Sequence, residues 1–280
     1  DVIVGFGSYH SLPPLLAAKI QKIPIILHEG NAFPGKVNRF LAKYAQVTGF
    51  CFPEAEKYLK GKTKRVEMPL REGIYNGVVS KADSLAFYDL DPQRKTILVV
   101  GGSQGALSLN KLIVEAISNY QGKKDCIQII HLAGTENEKN KAEKAYHSAH
   151  IMACVKSFEN CMEKAWSAVD LVISRSGAGA IAEALEFEVP SILIPYPFAA
   201  DKHQTKNALH IENVVKGGLC CDESNVSPRL LSELILDLLE RDPSKLNIMR
   251  NAIQEYKSKI VQTNMCSLIT EIIPLRGVSS

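Results

Sequence analysis

An α/β protein of two Rossmann-like units, each on a parallel sheet and the first short by several strands, is what the sequence predicts. Three observations carry this. Short β-branched runs alternate with longer helical patterns along most of the 280 residues, and continuous apolar strands between helices mean a parallel sheet covered on both faces. Two strands end in glycine-rich corners that open into helices, at 99–106 and 172–185. From about Met68 to Gln93 the rhythm breaks into prolines, glycines and scattered charges, and the linker between the units is placed there. The length alone exceeds what one compact core usually covers.

The elements follow in order. "DVIVGF" (1–6), "PIILH" (24–28), "QVTGFC" (46–51) and "KRVE" (64–67) are the strands of the first unit. "TILVVG" (96–101), "CIQIIHL" (126–132), "MACVK" (152–156), "DLVIS" (170–174), "PSILIP" (190–195) and "GLCC" (218–221) are those of the second. Most are short apolar runs with β-branched residues, as a buried strand requires. Helical periodicity fills 105–118, 137–149, 177–186, 203–216 and 228–240 between them. Two more helices, 242–260 and 264–273, follow with no strand between.

Composition narrows the class. With 33 basic and 30 acidic residues the net charge is +3, a balance that gives no argument for nucleic acid as a partner. The seven cysteines are odd in number and form no Cys-x-x-Cys, which fits reduced thiols and speaks against zinc. No apolar run reaches the ~20 residues that cross a bilayer, and none has the form of a signal peptide.

Four segments carry chemistry. "VVGGSQGA" (99–106) ends a strand in glycines before a helix, so bare N–H groups at the positive end of the helix dipole form an anion site to which Ser103 adds a hydroxyl. A ligand-free tight turn is the competing reading. The dinucleotide fingerprint G-x-G-x-x-G is missing, which counts against a nicotinamide dehydrogenase. "VISRSGAGAIAEAL" (172–185) is a second such corner, with Glu183 two turns into an otherwise small or apolar helix; it is either a surface carboxylate or one placed to accept from a ribose diol. "PYPFAADKHQTKNAL" (195–209) puts Gln204 and Asn207 three apart on one helix face, where amides can read sugar hydroxyls. "LHEGNAFPGKVNRFL" (27–41) clusters His28, Glu29 and Asn31 after a strand; His28 with Glu29 are the candidate catalytic base, or a structural pair. "DLD" (89–91) has an Asp-x-Asp form that could hold a metal, but Pro92 follows it in the linker and a turn is expected. Arg71 lies at the expected hinge, within reach of a diphosphate in the cleft.

Together, "HEGNAFPGKVNRFLAKYA", "MPLREGI", "VVGGSQGALSLN", "SFENCMEKAWSAVDLVISRSGAGAIAEAL" and "PSILIPYPFAADKHQTKNA" resemble the MurG family, UDP-N-acetylglucosamine:lipid I N-acetylglucosaminyltransferases of peptidoglycan synthesis. The resemblance runs from Asp1 to about Cys221. It implies a GT-B fold with the active site between two Rossmann-like domains, and inverting transfer of N-acetylglucosamine (GlcNAc) to the 4-hydroxyl of the muramyl sugar of lipid I. It implies a peripheral enzyme on the cytoplasmic face of the membrane, with UDP-GlcNAc and lipid I as partners and no cofactor or metal. Residues 1–70 are then the C-terminal part of the acceptor domain, 71–262 the donor domain, and 263–280 a helix returning to the first domain.

Carried over by motif, Arg71 and Ser103 contact the donor diphosphate. Ala178, Gly179, Ala180, Ile181, Ala182 and Glu183 line the nucleotide, with Glu183 on the ribose. Glu159 offers its backbone to the uracil, and Asn31 and Gln204 face the sugar. The chain departs from the family pattern in places: "HEQN" reads "HEGN", with Gly30 for glutamine; "GGY" reads "GSY" at Ser8; and a glutamine pair is His203-Gln204. The family's early glycine-rich loop with its histidine has no counterpart after Asp1. Two other readings fit the same segments: a UDP-sugar-binding fragment without turnover, and a UDP-GlcNAc epimerase, which needs no lipid acceptor.

Overall fold

The computed structural model describes residues 2–76, 79–101, 107–260 and 263–272. Ten strands form two sheets. The first sheet holds β1 (Ile3–Gly5), β2 (Ile25–Glu29), β3 (Val47–Phe50) and β4 (Thr63–Arg65) in simple chain order, every pair parallel. The second holds β5 (Lys95–Val100), β6 (Ile127–Leu132), β7 (Met152–Lys156), β8 (Leu171–Ser174), β9 (Ser191–Leu193) and β10 (Gly218–Cys220), also parallel throughout. Its spatial order is β10-β9-β8-β5-β6-β7. The chain thus winds outward from β5 in one direction, then returns beside β5 and winds in the other. Burial explains the apolar runs: β2 and β6 are buried at every residue.

Polar groups inside the second sheet are paired, as buried ones must be. His131 lies between the Tyr146 hydroxyl at 2.8 Å and Asn110 Oδ1 at 3.2 Å. Gln128 donates to the Asp91 carbonyl and to Thr96 Oγ1. All seven cysteines carry free thiols.

The segment read as a linker is more structured than its composition suggested. Residues 68–93 contain helices Glu72–Asn76 and Lys81–Phe87. Ser80 caps the second, accepting from the Asp83 N–H at 3.1 Å. Ile74, Leu85, Tyr88 and Leu90 are buried in one cluster with Leu98, Ile130 and Trp166 of the second unit. The glycine and charge content masked an apolar face that the second sheet needs on that side.

Within "DLD", Asp91 accepts from the Gln93 N–H and from Arg94 Nε, and Asp89 takes a left-handed φ of 53°. The segment is a turn. At the other end of the chain, helix Met265–Ile272 lies on the first sheet, with Met265 and Leu268 packed against Ile26, Val47 and Val66. The two units also share a core: Ala32 and Phe52 of the first are buried with Ile181, Ala208 and Ile211 of the second.

Candidate active site between the two sheets

The winding of the second sheet reverses between β5 and β8, so a crevice opens at their carboxyl ends, where open α/β sheets bind ligands. Both glycine-rich corners lie there. Residues 102–106, and with them Ser103, fall outside the described residues. The other corner is laid out fully. β8 ends at Ser174, and helix Ala178–Glu186 begins four residues later with Gly177 as its cap. No side chain caps this helix, so the N–H groups of Ala178, Gly179 and Ala180 lack intrahelical acceptors. A Cβ at Gly177 or Gly179 would meet nothing within 4 Å. The first turn is open to an anion.

Arg175, in the middle of this corner, is buried, and both terminal nitrogens of its guanidinium are engaged. It pairs with Glu223 at 2.7 and 3.1 Å, and donates to the Ile194 and Pro195 carbonyls and to Ser108 Oγ. Ser108 is on the helix that follows the first glycine-rich corner. Arg175 therefore ties this corner, helix Leu107–Ser118 and the loop after β10 to one another. The sequence reading quoted "SRSGA" but gave Arg175 no role. An arginine among small residues at a strand end was the available signal.

Glu183 lies farther along the helix. Trp166 Nε1 donates to its Oε2 at 2.7 Å. Burial raises its carboxyl above the usual range, opposed by the Trp166 hydrogen bond and the Arg71 charge. Arg71 is exposed and close enough to act on Glu183 electrostatically. The side chains of this segment divide between two faces. Ile181 is buried with Ala32 and Phe52, and Ala178 packs against the same interdomain cluster. Ile181 also gives its N–H to the Gly177 carbonyl. Its side chain packs between the two units, on the face of the helix away from Glu183.

The Glu159 carboxylate is committed inside the protein. It accepts from Lys156 Nζ at 2.7 Å, the Cys161 N–H at 2.8 Å and the Tyr88 hydroxyl at 3.0 Å. Burial alone would raise its pKa, but these three donors together lower it. Its side chain is what shapes the 157–161 turn.

Across the cleft, Glu29 accepts from the Asn31 N–H and Nδ2, the Gly35 N–H and Asn38 Nδ2, at 2.8 to 3.3 Å. His28 is buried beside Phe6. Its Nε2 meets Cys51 Sγ at 3.3 Å and the ring is also held by the Glu67 backbone. Burial lowers its pKa to about 4 and raises the Cys51 thiol to about 12, so a neutral ring faces a protonated thiol. Neither side chain stands free as a base. Both serve the shape of the loop.

That loop is clasped to the second unit. Asn207, fully buried, accepts from the Ala32 N–H at 2.8 Å and donates to Asn31 Oδ1 and the Ser176 carbonyl, both at 3.1 Å. One amide thus joins the first-unit loop to the open corner. Gln204, a turn earlier, accepts from the Tyr196 N–H at 2.9 Å, and its carbonyl accepts from Ser176 Oγ at 2.8 Å. The spacing of Gln204 and Asn207 had suggested one shared task; the structure divides it. Arg39 of the first unit pairs with Asp201 at 3.1 Å, and Lys206 lies 3.3 Å over the Phe33 ring.

Two parallel sheets facing each other at their carboxyl ends, one with a switch point and an open helix start, define a protein of GT-B architecture. Residues 96–263 match the glycosyltransferase family 28 C-terminal domain, and residues 1–49 its N-terminal domain. A UDP-N-acetylglucosamine--N-acetylmuramyl-(pentapeptide) pyrophosphoryl-undecaprenol N-acetylglucosamine transferase of Protochlamydia amoebophila is 45% identical over 99% of this chain and 73% of its own length. The enzyme of the same name from Chlamydia pneumoniae is 36% identical, over 92% of this chain and 70% of its own. The crystal structure of Acinetobacter baumannii MurG superposes with a TM-score of 0.77 at 28% identity, covering 98% of this chain and 73% of that one. The chain belongs to the MurG family, within glycosyltransferase family 28.

Proposed function

We propose that this protein moves GlcNAc from UDP-GlcNAc to the 4-hydroxyl of the muramyl sugar of lipid I, with inversion, to give lipid II. Family membership supports the reaction, and the observation that carries the site is the uncapped helix start at Gly177 beside Glu183 and Arg71. The donor diphosphate sits on the N–H groups of Ala178, Gly179 and Ala180, with Arg71 and Ser103 beside them. Glu183 takes the ribose hydroxyls, and the backbone at Glu159 takes the uracil. Asn31 and Gln204 border the sugar.

As the acceptor oxygen attacks the anomeric carbon, the bond to the β-phosphate breaks and negative charge grows on UDP. N–H groups fixed at a helix start and the Arg71 guanidinium oppose that charge without rearranging. Glu29 and His28 hold the acceptor-side loop in place and do not take the proton.

Residues 1–70 with the helix from 263 form the acceptor side, and 71–262 the donor side. No helix among the described residues is long and apolar enough to cross a membrane. The surface that meets the bilayer, on its cytoplasmic face, is the one carrying exposed Ile20, Phe40 and Tyr44, with Lys19 and Lys43 over the Tyr44 ring. Apolar side chains ringed by lysines suit an anionic interface. The decisive assay follows radiolabelled GlcNAc from UDP-GlcNAc into a lipid I analogue, with a donor-only control. Label in lipid establishes the transfer; N-acetylmannosamine from donor alone would establish the epimerase instead.

A further inference from the structure

A cavity of about 130 Å³ lies between the two units, bordering the open helix start at Ala178. Phe52, Val66 and Met68 wall it from the first unit, and Ile181 and Leu185 from helix Ala178–Glu186. Ile181 and Leu185 are four residues apart and share a face, while Glu183 sits about 200° around the helix from each. Ala178 and Ala182 line the cavity on that same face, so the cavity takes their side chains while Glu183 points to the other side of the helix.

Its far wall is rigid. Arg65 donates to the Tyr256 hydroxyl at 2.6 Å, and that hydroxyl meets His210 Nε2 at 2.9 Å. His210 Nδ1 meets Glu54 at 2.8 Å. With its hydrogen bonds made inside the wall, this relay leaves the cavity preformed, as small-ligand sites usually are. One edge is polar: Glu67 and Glu186 face it with Lys257, whose Nζ is 3.6 Å from Glu186.

Gly30 also lines the cavity. A Cβ there would come within 3.2 Å of Met68 Sδ and 3.5 Å of Ala178 Cβ, so any longer side chain would project between the units. The sequence pattern that this chain resembles carries glutamine at that place. A side chain at this place would take up part of that space.

We propose that this cavity is a second ligand site, for a small neutral aromatic molecule with one hydroxyl, and that Gly30 leaves room for it. The size supports a single ring, since an apolar cavity of about 150 Å³ takes up benzene. The apolar walls suit the ring faces, and a hydroxyl at the polar edge can donate to Glu67. A ligand there touches both units at once, so it favours this arrangement of the two over a parted one.

Phenol is the probe, titrated into the full chain and followed by NMR in solution. Saturable binding is expected, unaffected by excess UDP. Gly30→Gln and, independently, Leu185→Phe should each weaken phenol binding by at least about ten-fold, with the thermal transition retained. Gly30→Ala should fall between wild type and Gly30→Gln. Absence of saturable phenol binding would overturn the proposal. So would displacement by UDP, which places phenol in the nucleotide crevice, or equal affinity in wild type and both filled variants.

Discussion

Glu29 and Glu183 stand on opposite sides of the cleft, the first buried and the second half-buried, and they are held differently. Glu29, at the end of β2, accepts four N–H bonds from its own loop. Glu183, on the helix after β8, accepts one, from the Trp166 indole. Both oxygens of the first are committed to folding the chain. The second keeps acceptor capacity at a place where the helix start and Arg71 already draw an anion. A carboxylate near a cleft is thus a ligand group or a structural one according to how many donors its own fold supplies.

The largest consequence is on stability. Glu29→Ala leaves the buried Asn38 amide and the half-buried Asn31 donors without their acceptor, while the exposed Gly35 N–H turns to water. A loss of about 3 kcal/mol is expected in urea unfolding. A shift under 1 kcal/mol, joined to an abolished transfer rate, would return Glu29 to the role of base.

Next comes the pH response of its neighbour. The folded pKa of His28 is about 4, against an ordinary 6.5, because burial disfavours the charged ring. The unfolded chain therefore takes up this proton first as pH falls. The stabilisation is complete above pH 6.5, declines between 6.5 and 4, and is gone below 4. The amount is about 3 kcal/mol at most. His131, also lowered to about 4 by burial, adds to the same window. His28→Gln should flatten the stability curve there, as read by denaturant titrations at several pH values. An unchanged slope would mean that His28 does not stay neutral on folding.

Glu183→Ala should show the converse of Glu29→Ala: a smaller stability loss of about 1 kcal/mol, from the Trp166 N–H left without its acceptor, and weaker nucleotide binding. Loss of hydrogen bonds from ribose hydroxyls to a charged acceptor is expected to cost about 2 kcal/mol, or roughly 30-fold in UDP affinity. Calorimetric titration measures it directly. Equal UDP affinity in the two proteins would remove Glu183 from the ribose.

How much of this was legible in the sequence depends on range. Most strands were, because they are apolar runs, although β4, Thr63–Arg65, is polar and overlaps the expected 64–67 only in part; so was the corner before Ala178, because glycine next to a strand end is a local signal. The helices of residues 68–93 were not. Leu85, Tyr88 and Leu90 form an apolar face only against the second sheet, and the neighbouring charges obscured it. Long-range pairs were out of reach altogether. Asn207 meets Ala32 across 175 positions of chain, and nothing local in "DKHQTKNAL" separates that clasp from a sugar contact. The same limit made His28 and Glu29 look like a catalytic pair. A His-Glu dipeptide looks the same whether its donors come from substrate or from Asn31, Gly35, Asn38 and Cys51.

The smallest expected effect is a null one, and it tests whether the donor side holds its diphosphate with protein groups alone. The Asp-x-Asp segment is the one place where the sequence suggested a metal. There Asp91 accepts from the Gln93 N–H at 2.8 Å and from Arg94 Nε at 3.3 Å, and its own N–H goes to Gln128 at 2.9 Å. A carboxylate committed to closing a turn would have to give up those bonds to bind a cation. The helix start at Gly177 and the Arg71 guanidinium already supply positive charge where the phosphates are proposed to lie. UDP affinity should therefore be the same in excess EDTA as in buffer, and Asp91→Asn should leave it unchanged. Loss of affinity in EDTA, restored by manganese, would show that the helix start needs a cation to hold UDP. Loss on Asp91→Asn as well would place that cation at the turn and move the donor site away from Glu183.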